Sequence, residues 1–317
     1  MKILVIFLAS VLVSAEDPSE RIIDGQDVPP GKYPFYAFLR RIGDDGLFRC
    51  GSSIITNSWV LSAAHCSSGP PTDKLWVLAG FLDSTLLSYR QRSQVSRKFV
   101  HPGYRSDILL NDIVMLQLKT PFYFDALIGP IALPDDRRDK AADWTKCDVM
   151  GFGLTFTNNE TNPMVPNQYQ VLQWAQVLVV PQSECTKWYG DVIEKSHICA
   201  NDPNSRQGTC TGDSGGPLAC YDDNRGEHVL RGAASFVVKS RGCGSRDYPD
   251  GFTRISSHLE WIRETRDFGA WQIGSCSVTC GEGTRRDTRK CVAGDCEGSN
   301  QLLNRVSICQ MPPCANG

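Results

Sequence analysis

Gly212-Asp213-Ser214-Gly215-Gly216-Pro217 is the stretch on which both fold and chemistry turn. By itself it reads as a loop, because its glycines permit turns closed to other residues and leave room for a carbonyl to approach. The serine at its centre carries a hydroxyl that is a weak nucleophile at neutral pH. Acyl transfer needs an imidazole to take that proton and a carboxylate to hold the imidazole in the right tautomer. Two further islands, Leu61-Ser-Ala-Ala-His65-Cys66 and Asn111-Asp112-Ile-Val-Met-Leu116, supply one of each. Taken singly, His65 has the ordinary reading of a core histidine beside a disulfide, and Asp112 that of a turn cap.

The chain around these islands is rich in short β runs. Between Ile22 and Arg254, segments such as Ser53–Thr56, Trp76–Ala79, Ile113–Leu118, Gln176–Val180 and Val229–Ala233 are separated by Gly, Pro, Asn and Asp. That pattern predicts an all-β barrel or sandwich rather than alternating βα units. From Ser256 to Asp267, Leu259 and Ile262, with Trp261 beside them, fall on one side of a helical period behind a serine cap, so one C-terminal helix is expected to close the domain. A length of 317 residues, 41% of them hydrophobic and 21% charged, fits about two folded units. The formal net charge of -2 supplies no broad positive field, which argues against nucleic acid or an anionic membrane as partner.

Lys2 precedes the apolar run Ile3 to Val13, which ends in Val13-Ser14-Ala15. This is a signal-peptide pattern with a cut after Ala15. No later run reaches the ~20 apolar residues of a membrane span, so the mature protein is expected to be secreted and soluble. The 14 cysteines then read as disulfides of an oxidising compartment. Their density rises sharply after Ala270, where six lie between Cys276 and Cys314, and this marks a domain boundary near Asp267 to Ala270. The dense cluster lacks histidine and paired Cys-x-x-Cys knuckles, so no metal is expected there.

In chain order the three islands run His, Asp, Ser, the order of the chymotrypsin family and not that of subtilisins or α/β-hydrolases. From Ile22 to about Asp267 the chain resembles that family, on the strength of Ala-Ala-His65-Cys66 and Gly212 to Pro217. The resemblance implies two six-stranded antiparallel barrels with the active site in the cleft between them. It makes His65 the general base and then acid, Asp112 its orienting carboxylate, and Ser214 the acyl-forming nucleophile. The backbone N–H groups of Gly212 and Ser214 become the oxyanion hole. It also implies the disulfides Cys50–Cys66, Cys147–Cys220, Cys185–Cys199 and Cys210–Cys243. Glu20-Arg21-Ile22-Ile23-Asp24-Gly25 resembles the zymogen site of the family. An activating protease cutting after Arg21 would release the peptide Glu16 to Arg21 and free the Ile22 amine to pair with Asp213.

In trypsin-type members an aspartate six residues before the nucleophile selects Arg or Lys. Gly208 stands there, which excludes a specificity built on that aspartate. Ser235-Phe236-Val237 departs from the family's Ser-Trp-Gly, and Val237 narrows the entrance as in elastase-type members. Small or medium aliphatic side chains at the P1 position of the substrate are therefore implied. Asp250 falls on the other pocket wall and leaves two readings. Shielded by Val237 and Thr209, it is a paired structural charge; open, it accepts Lys or Arg and gives the broad specificity of some crustacean collagenolytic relatives. Shielding is favoured, because a partly buried carboxylate needs a partner. Gly208, Thr209, Ser235, Phe236, Val237 and Asp250 form the expected substrate-binding set. Phe81 and Gln91 stand where calcium-binding members carry glutamates, so calcium is not expected, and no other metal or cofactor is.

Trp271 to Cys314 contains Cys276-Ser-Val-Thr-Cys280-Gly-Glu-Gly283 and Arg285-Arg-Asp-Thr-Arg289-Lys-Cys291, and resembles the thrombospondin type 1 repeat. A domain this small needs staples, and the resemblance implies Cys276–Cys309, Cys280–Cys314 and Cys291–Cys296. The layered Trp and Arg stack of that family is expected to be short here. Only Trp271 remains of the usual tryptophans, and Asp287 interrupts the face carrying Arg285 and Arg289. Thr279 fits an O-fucosylation motif, and Asn159 in Asn-Glu-Thr is an N-glycosylation acceptor. A tether to matrix, cell-surface glycan or a protein partner and a rigid appendage without ligand are equal readings of the repeat, and the short join implies that it packs close to the larger domain.

The whole chain thus reads as a secreted serine endopeptidase made as a zymogen and acting on protein or peptide substrates. A catalytically silent homologue used as a binding protein is the competing class, and its mark, a missing triad member, is absent from the sequence.

Overall fold

The computed structural model describes residues 25–41, 49–69, 71–83, 90–136, 141–153, 171–190, 193, 195–237, 243–268, 272–290 and 302–312. After the two-residue strand β1 (Gln26–Asp27), the first barrel is built from β2 (Tyr36–Arg41), β3 (Arg49–Thr56), β4 (Trp59–Ser62), β5 (Leu75–Ala79), β6 (Gln91–Val100) and β7 (Val114–Leu118). These close in the order β2-β3-β4-β7-β6-β5. Alternation along the strands explains the closure: Ala37 and Leu39 of β2, Val77 and Ala79 of β5 and Val114 and Leu116 of β7 meet in one buried cluster inside the barrel.

The second barrel comprises β8 (Lys146–Gly151), β9 (Gln173–Val180), β10 (His197–Asn201), β11 (Pro217–Asp222), β12 (Glu227–Phe236) and β13 (Asp250–Arg254). Its order is β9-β10-β13-β12-β11-β8, closed by the β8–β9 pairing, with β1 added outside β9. Val149, Val177, Ile198, Leu218 and Phe252 fill it. The fold is therefore all-β, with two closed six-stranded antiparallel barrels.

A third cluster takes its members from both barrels. Phe38, Leu61 and Met115 of the first meet Met150, Ala219 and Leu230 of the second, together with Ile255, Leu259 and Ile262 from the end of the domain. Each of these side chains except that of Ala219 is worth about 1.5–3 kcal/mol when fully buried, so this seam fixes one barrel against the other. The C-terminal helix, α2 (Leu259–Phe268), begins later than the sequence predicts. Ile255–His258 forms a 3-10 turn instead. Ser256 is buried, and Ser257 gives its hydroxyl to the Lys195 carbonyl at 3.0 Å, so neither caps the helix. A short helix that the β-rich pattern does not reveal, α1 (Gln182–Tyr189), buries Cys185 alone, which leaves no apolar stripe to read.

Beyond α2, β14 (Glu282–Lys290) and β15 (Leu302–Gln310) pair antiparallel from Glu282↔Gln310 to Lys290↔Leu302. Bridges Gln272↔Thr288 and Cys276↔Arg285 add a third, irregular strand, and Cys276–Cys309 staples it to β15. Cys280 is also disulfide-bonded. Asp287, which interrupts the arginine face in the sequence, is fully buried. It accepts from Gly274 N at 3.2 Å and Ser307 Oγ at 3.0 Å, and Arg285 Nε lies 3.0 Å away. Cys291, Cys296 and Cys314 lie outside the described residues, as do Trp271, Asn159 and the N-terminal residues read above as signal peptide and activation segment.

Candidate active site

His65 sits in a 3-10 turn, Ala64–Cys66, that follows β4. The Cys50–Cys66 disulfide ties this turn to β3. Asp112 arrives from the far side of the same barrel, in the loop before β7. Two residues of that loop, Leu109 (φ 52) and Asn111 (φ 51), adopt the left-handed conformation that non-glycine residues rarely occupy. The Asp112 carboxylate is wholly buried and saturated with donors. His65 N reaches Oδ1 at 2.9 Å, and His65 Nδ1 and Ser235 Oγ reach Oδ2 at 2.7 Å and 2.6 Å. A carboxylate only accepts, so the His65 proton resides on Nδ1 and Nε2 is left as a base. Thr253 Oγ1 holds the Asp112 carbonyl from the second barrel at 2.9 Å.

Ser214 comes from that second barrel, on the turn before β11. Gly51 N donates to the Ser214 carbonyl at 2.8 Å, which links the turn to the first barrel. Asp213 N, Gly215 N and Gly216 N donate to Cys210, Ala234 and Asp213 carbonyls, but among the described residues Gly212 N and Ser214 N donate to no backbone carbonyl. One of these two donors is the serine's own and the other lies two residues before it. Gly212 has φ 105, a conformation that requires glycine at this point of the turn.

The Asp213 side chain is buried against the end of β8. Gly153 N reaches Oδ1 at 2.7 Å and Cys210 N reaches Oδ2 at 2.9 Å. A Cβ on Gly151 or Gly153 would overlap the carboxylate, so the aspartate occupies a cradle that two glycines leave open. Burial pushes its pKa up to about 7, with those two N–H groups acting in the other direction.

His65 and Ser214 open on one cavity of about 690 Å³, with Thr209, Phe236, Val237 and Leu109 among its walls. Asp250 and Gly208 are not among the lining residues. Asp250 is 6% exposed and sits behind Thr209, accepting from its N at 2.6 Å and its Oγ1 at 2.8 Å. Burial raises its pKa to about 7, against those hydrogen bonds. Gly208 is packed against Asp250 Oδ2. Ser235, a pocket-wall residue by sequence, lines the cavity but spends its hydroxyl on Asp112. Cys50, His65 and Cys66 bring ligand-type atoms together, but both sulfurs are committed to a disulfide, so the group is no metal site.

The sequence model for the family described as Trypsin matches residues 22–262. The chain belongs to the trypsin family. It is a serine endopeptidase of that family, with a Thrombospondin type 1 domain matched at residues 266–314. Kallikrein-7 of Homo sapiens is 30% identical over 266 residues, covering 84% of this chain and 95% of that protein. Anionic trypsin of Canis lupus familiaris is 29% identical over 260 residues, 82% of this chain and 95% of the relative. Ovochymase of Halocynthia roretzi is 31% identical over 262 residues, which make up 81% of this chain and 16% of ovochymase, so the chain spans a small part of that relative. The other trypsin-family disulfides, Cys147–Cys220, Cys185–Cys199 and Cys210–Cys243, are present in the structure.

Several residues that shape the site carry no local sign in the sequence. Ser235 and Thr253 act on Asp112, and Gly151 and Gly153 make room for Asp213. Of these, only the glycine pair flanking Phe152 is conspicuous, and nothing near it names its partner. Arg21 and Ile22 lie outside the described residues. Thr279 is exposed, between Cys276 and Cys280. Among the described residues no helix is long and apolar enough to cross a membrane.

Proposed function

We propose that this trypsin-family enzyme is a secreted endopeptidase, activated by a cut after Arg21, that cleaves proteins or peptides after small or medium aliphatic residues using His65, Asp112 and Ser214. The observation that carries the triad is the buried Asp112, which binds His65 through Nδ1 and leaves Nε2 facing the cavity shared with Ser214. His65 Nε2 takes the Ser214 hydroxyl proton as Oγ bonds to the scissile carbonyl carbon. The carbonyl oxygen becomes an oxyanion between Gly212 N and Ser214 N, and the proton passes to the leaving amine as the C–N bond breaks. A water deprotonated by the same nitrogen then releases the acyl group.

Activation follows from Asp213. Its buried carboxyl has two N–H donors and no cation among the described residues to offset its desolvation, and an α-ammonium at Ile22 supplies one. The aliphatic preference rests on Val237 at the cavity wall and on Thr209 standing between the cavity and Asp250. The thrombospondin repeat is read as a tether to a matrix, glycan or cell-surface ligand, and Asn159 and Thr279 as glycosylation sites.

A fluorophosphonate probe applied to Arg21-cleaved protein tests the triad: labelling at Ser214 supports it, and its absence sinks it. A substrate library tests the pocket. Ala, Val or Leu at P1 is expected to exceed Arg, Lys and Phe by about tenfold or more, and Val237→Gly is expected to recover aromatic residues by a similar factor. A dominant preference for Lys or Arg, lost in Asp250→Asn, would show that Asp250 is reached by substrate and would overturn the shielded reading.

A further inference from the structure

His258 is 3% exposed and has no task in the steps above. It ends the turn that leads into α2. Its Nδ1 lies 2.7 Å from the Arg254 carbonyl oxygen, and its Nε2 lies 3.0 Å from Asn111 Oδ1. Asn111 also donates Nδ2 to the Gly103 carbonyl at 2.9 Å, which fixes its Oδ1 as the acceptor turned toward His258. Gly103 N donates to His101 Nδ1 at 3.1 Å, and the His101 ring stands edge-on to His258 and Trp261. Asn111 is thus tethered at both ends of its amide while its backbone holds φ 51, and the next residue is Asp112. A left-handed non-glycine residue persists only where its surroundings hold it.

We propose that His258 is a positioning residue for peptide hydrolysis, holding Asn111 so that its left-handed backbone delivers the Asp112 carboxylate to His65. The proposal rests on the triad reading above. Both atoms facing His258 are oxygens that accept. A neutral ring carries one N–H and serves one of them, whereas the imidazolium serves both. Burial holds the His258 pKa below its usual value, His197 adds to this, and the Arg254 carbonyl works against it. His101, the titratable group facing it edge-on, is lowered to about 4, by burial first and by His258 second. The other facing group, Asn111, is uncharged, and the Asp112 carboxylate follows it in the chain. At neutral pH His258 therefore makes one of its two bonds, and acidification fills the second.

The test uses activated full-length protein carrying His258→Phe, Asn111→Gly or both, with active sites counted by fluorophosphonate labelling. Asn111→Gly keeps the left-handed backbone without strain but removes the tether. Each single change is expected to lower kcat about tenfold with KM unchanged, and the double variant is expected to fall no further. The ratio of wild-type kcat to that of His258→Phe is expected to stay flat above about pH 6.5 and to rise only below it, because burial holds the ring's pKa under the ordinary histidine value. His258→Gln, which keeps one donor and does not titrate, is expected to recover part of kcat, leaving its ratio to His258→Phe flat with pH. If His258→Phe does not fold, His258→Gln and Asn111→Gly carry the same comparison. Single losses that multiply in the double variant, a change confined to KM, or a wild-type ratio flat with pH overturns the positioning role. Wild-type protein that labels fully while the variants keep its kcat removes the clamp alone; wild-type protein that fails to label at Ser214 removes the triad reading and the clamp with it.

Discussion

Ser214→Ala is expected to lower kcat on a peptide substrate by about 10⁶-fold, leaving KM and the thermal unfolding profile close to those of the parent. In the proposed mechanism the side chain contributes the attacking Oγ and nothing to the core, so stability has little reason to change. His65→Ala produces a loss of the same order, and the double variant loses no more, because the two groups perform one proton transfer and one attack together. Asp112→Asn is milder, at roughly 10⁴-fold, for a reason visible in the site. Three donors converge on the carboxylate, from His65 N, His65 Nδ1 and Ser235 Oγ. An amide can accept at one end only. Its NH₂ must face either the His65 backbone N–H or the Nδ1 and Ser235 pair, and the second arrangement drives the His65 proton onto Nε2, where the base is needed. Kinetics normalised to the concentration of folded, Arg21-cleaved protein check the series. Losses from Ser214→Ala and His65→Ala that multiply would show that they do not act as a unit.

Gly153→Ala is expected to cost about 10²–10³ in turnover even after complete cleavage at Arg21. The added methyl would occupy space held by the Asp213 carboxylate, which binds Gly153 N and Cys210 N. Displacing that carboxylate displaces the turn that presents Gly212 N and Ser214 N, so the oxyanion donors are lost while the triad residues remain. The pH dependence of the precursor gives an independent measure. Asp213 has a folded pKa of about 7, above the ordinary carboxyl value of 3.8. The raised value means that its contribution to stability is fully present below the unfolded pKa and is lost as pH rises through the folded one. Uncleaved protein is therefore expected to melt at progressively lower temperature between pH 4 and pH 7, and both cleavage at Arg21 and Asp213→Asn are expected to flatten that slope. Asp250, also near 7, adds a part that cleavage leaves in place. A slope unchanged by both treatments would assign it to other groups.

Strand-by-strand, the barrels are legible because alternation is a local property: Trp76–Ala79 and Val229–Ala233 fall inside β5 and β12 without outside information. The candidate triad can be picked out for a different reason, since its three residue types are each useless without the others. What stays hidden are partnerships across long sequence separations. The sequence favours a shielded Asp250 only on the general need of a buried carboxylate for a partner; the two hydrogen bonds from Thr209 that make the shield span forty-one residues. Asn111 stands beside Asp112 in the sequence, yet its tie to His258 crosses 147 residues. Helix α1 escapes because its buried face is one disulfide cysteine, and α2 starts late because a serine that could cap it bonds to Lys195 instead.

The seam between the barrels is completed only by the last residues of the domain to be synthesised. His65 and Asp112 lie on the first barrel, which the ribosome completes at Leu118, whereas the cluster joining the barrels needs Ile255, Leu259 and Ile262. At usual elongation rates the interval between them is on the order of ten seconds. Throughout it the nascent chain lacks the C-terminal side chains that complete the joining cluster. Synthesis interrupted before α2 leaves a fragment without Leu259 and Ile262, two of the side chains that join the barrels.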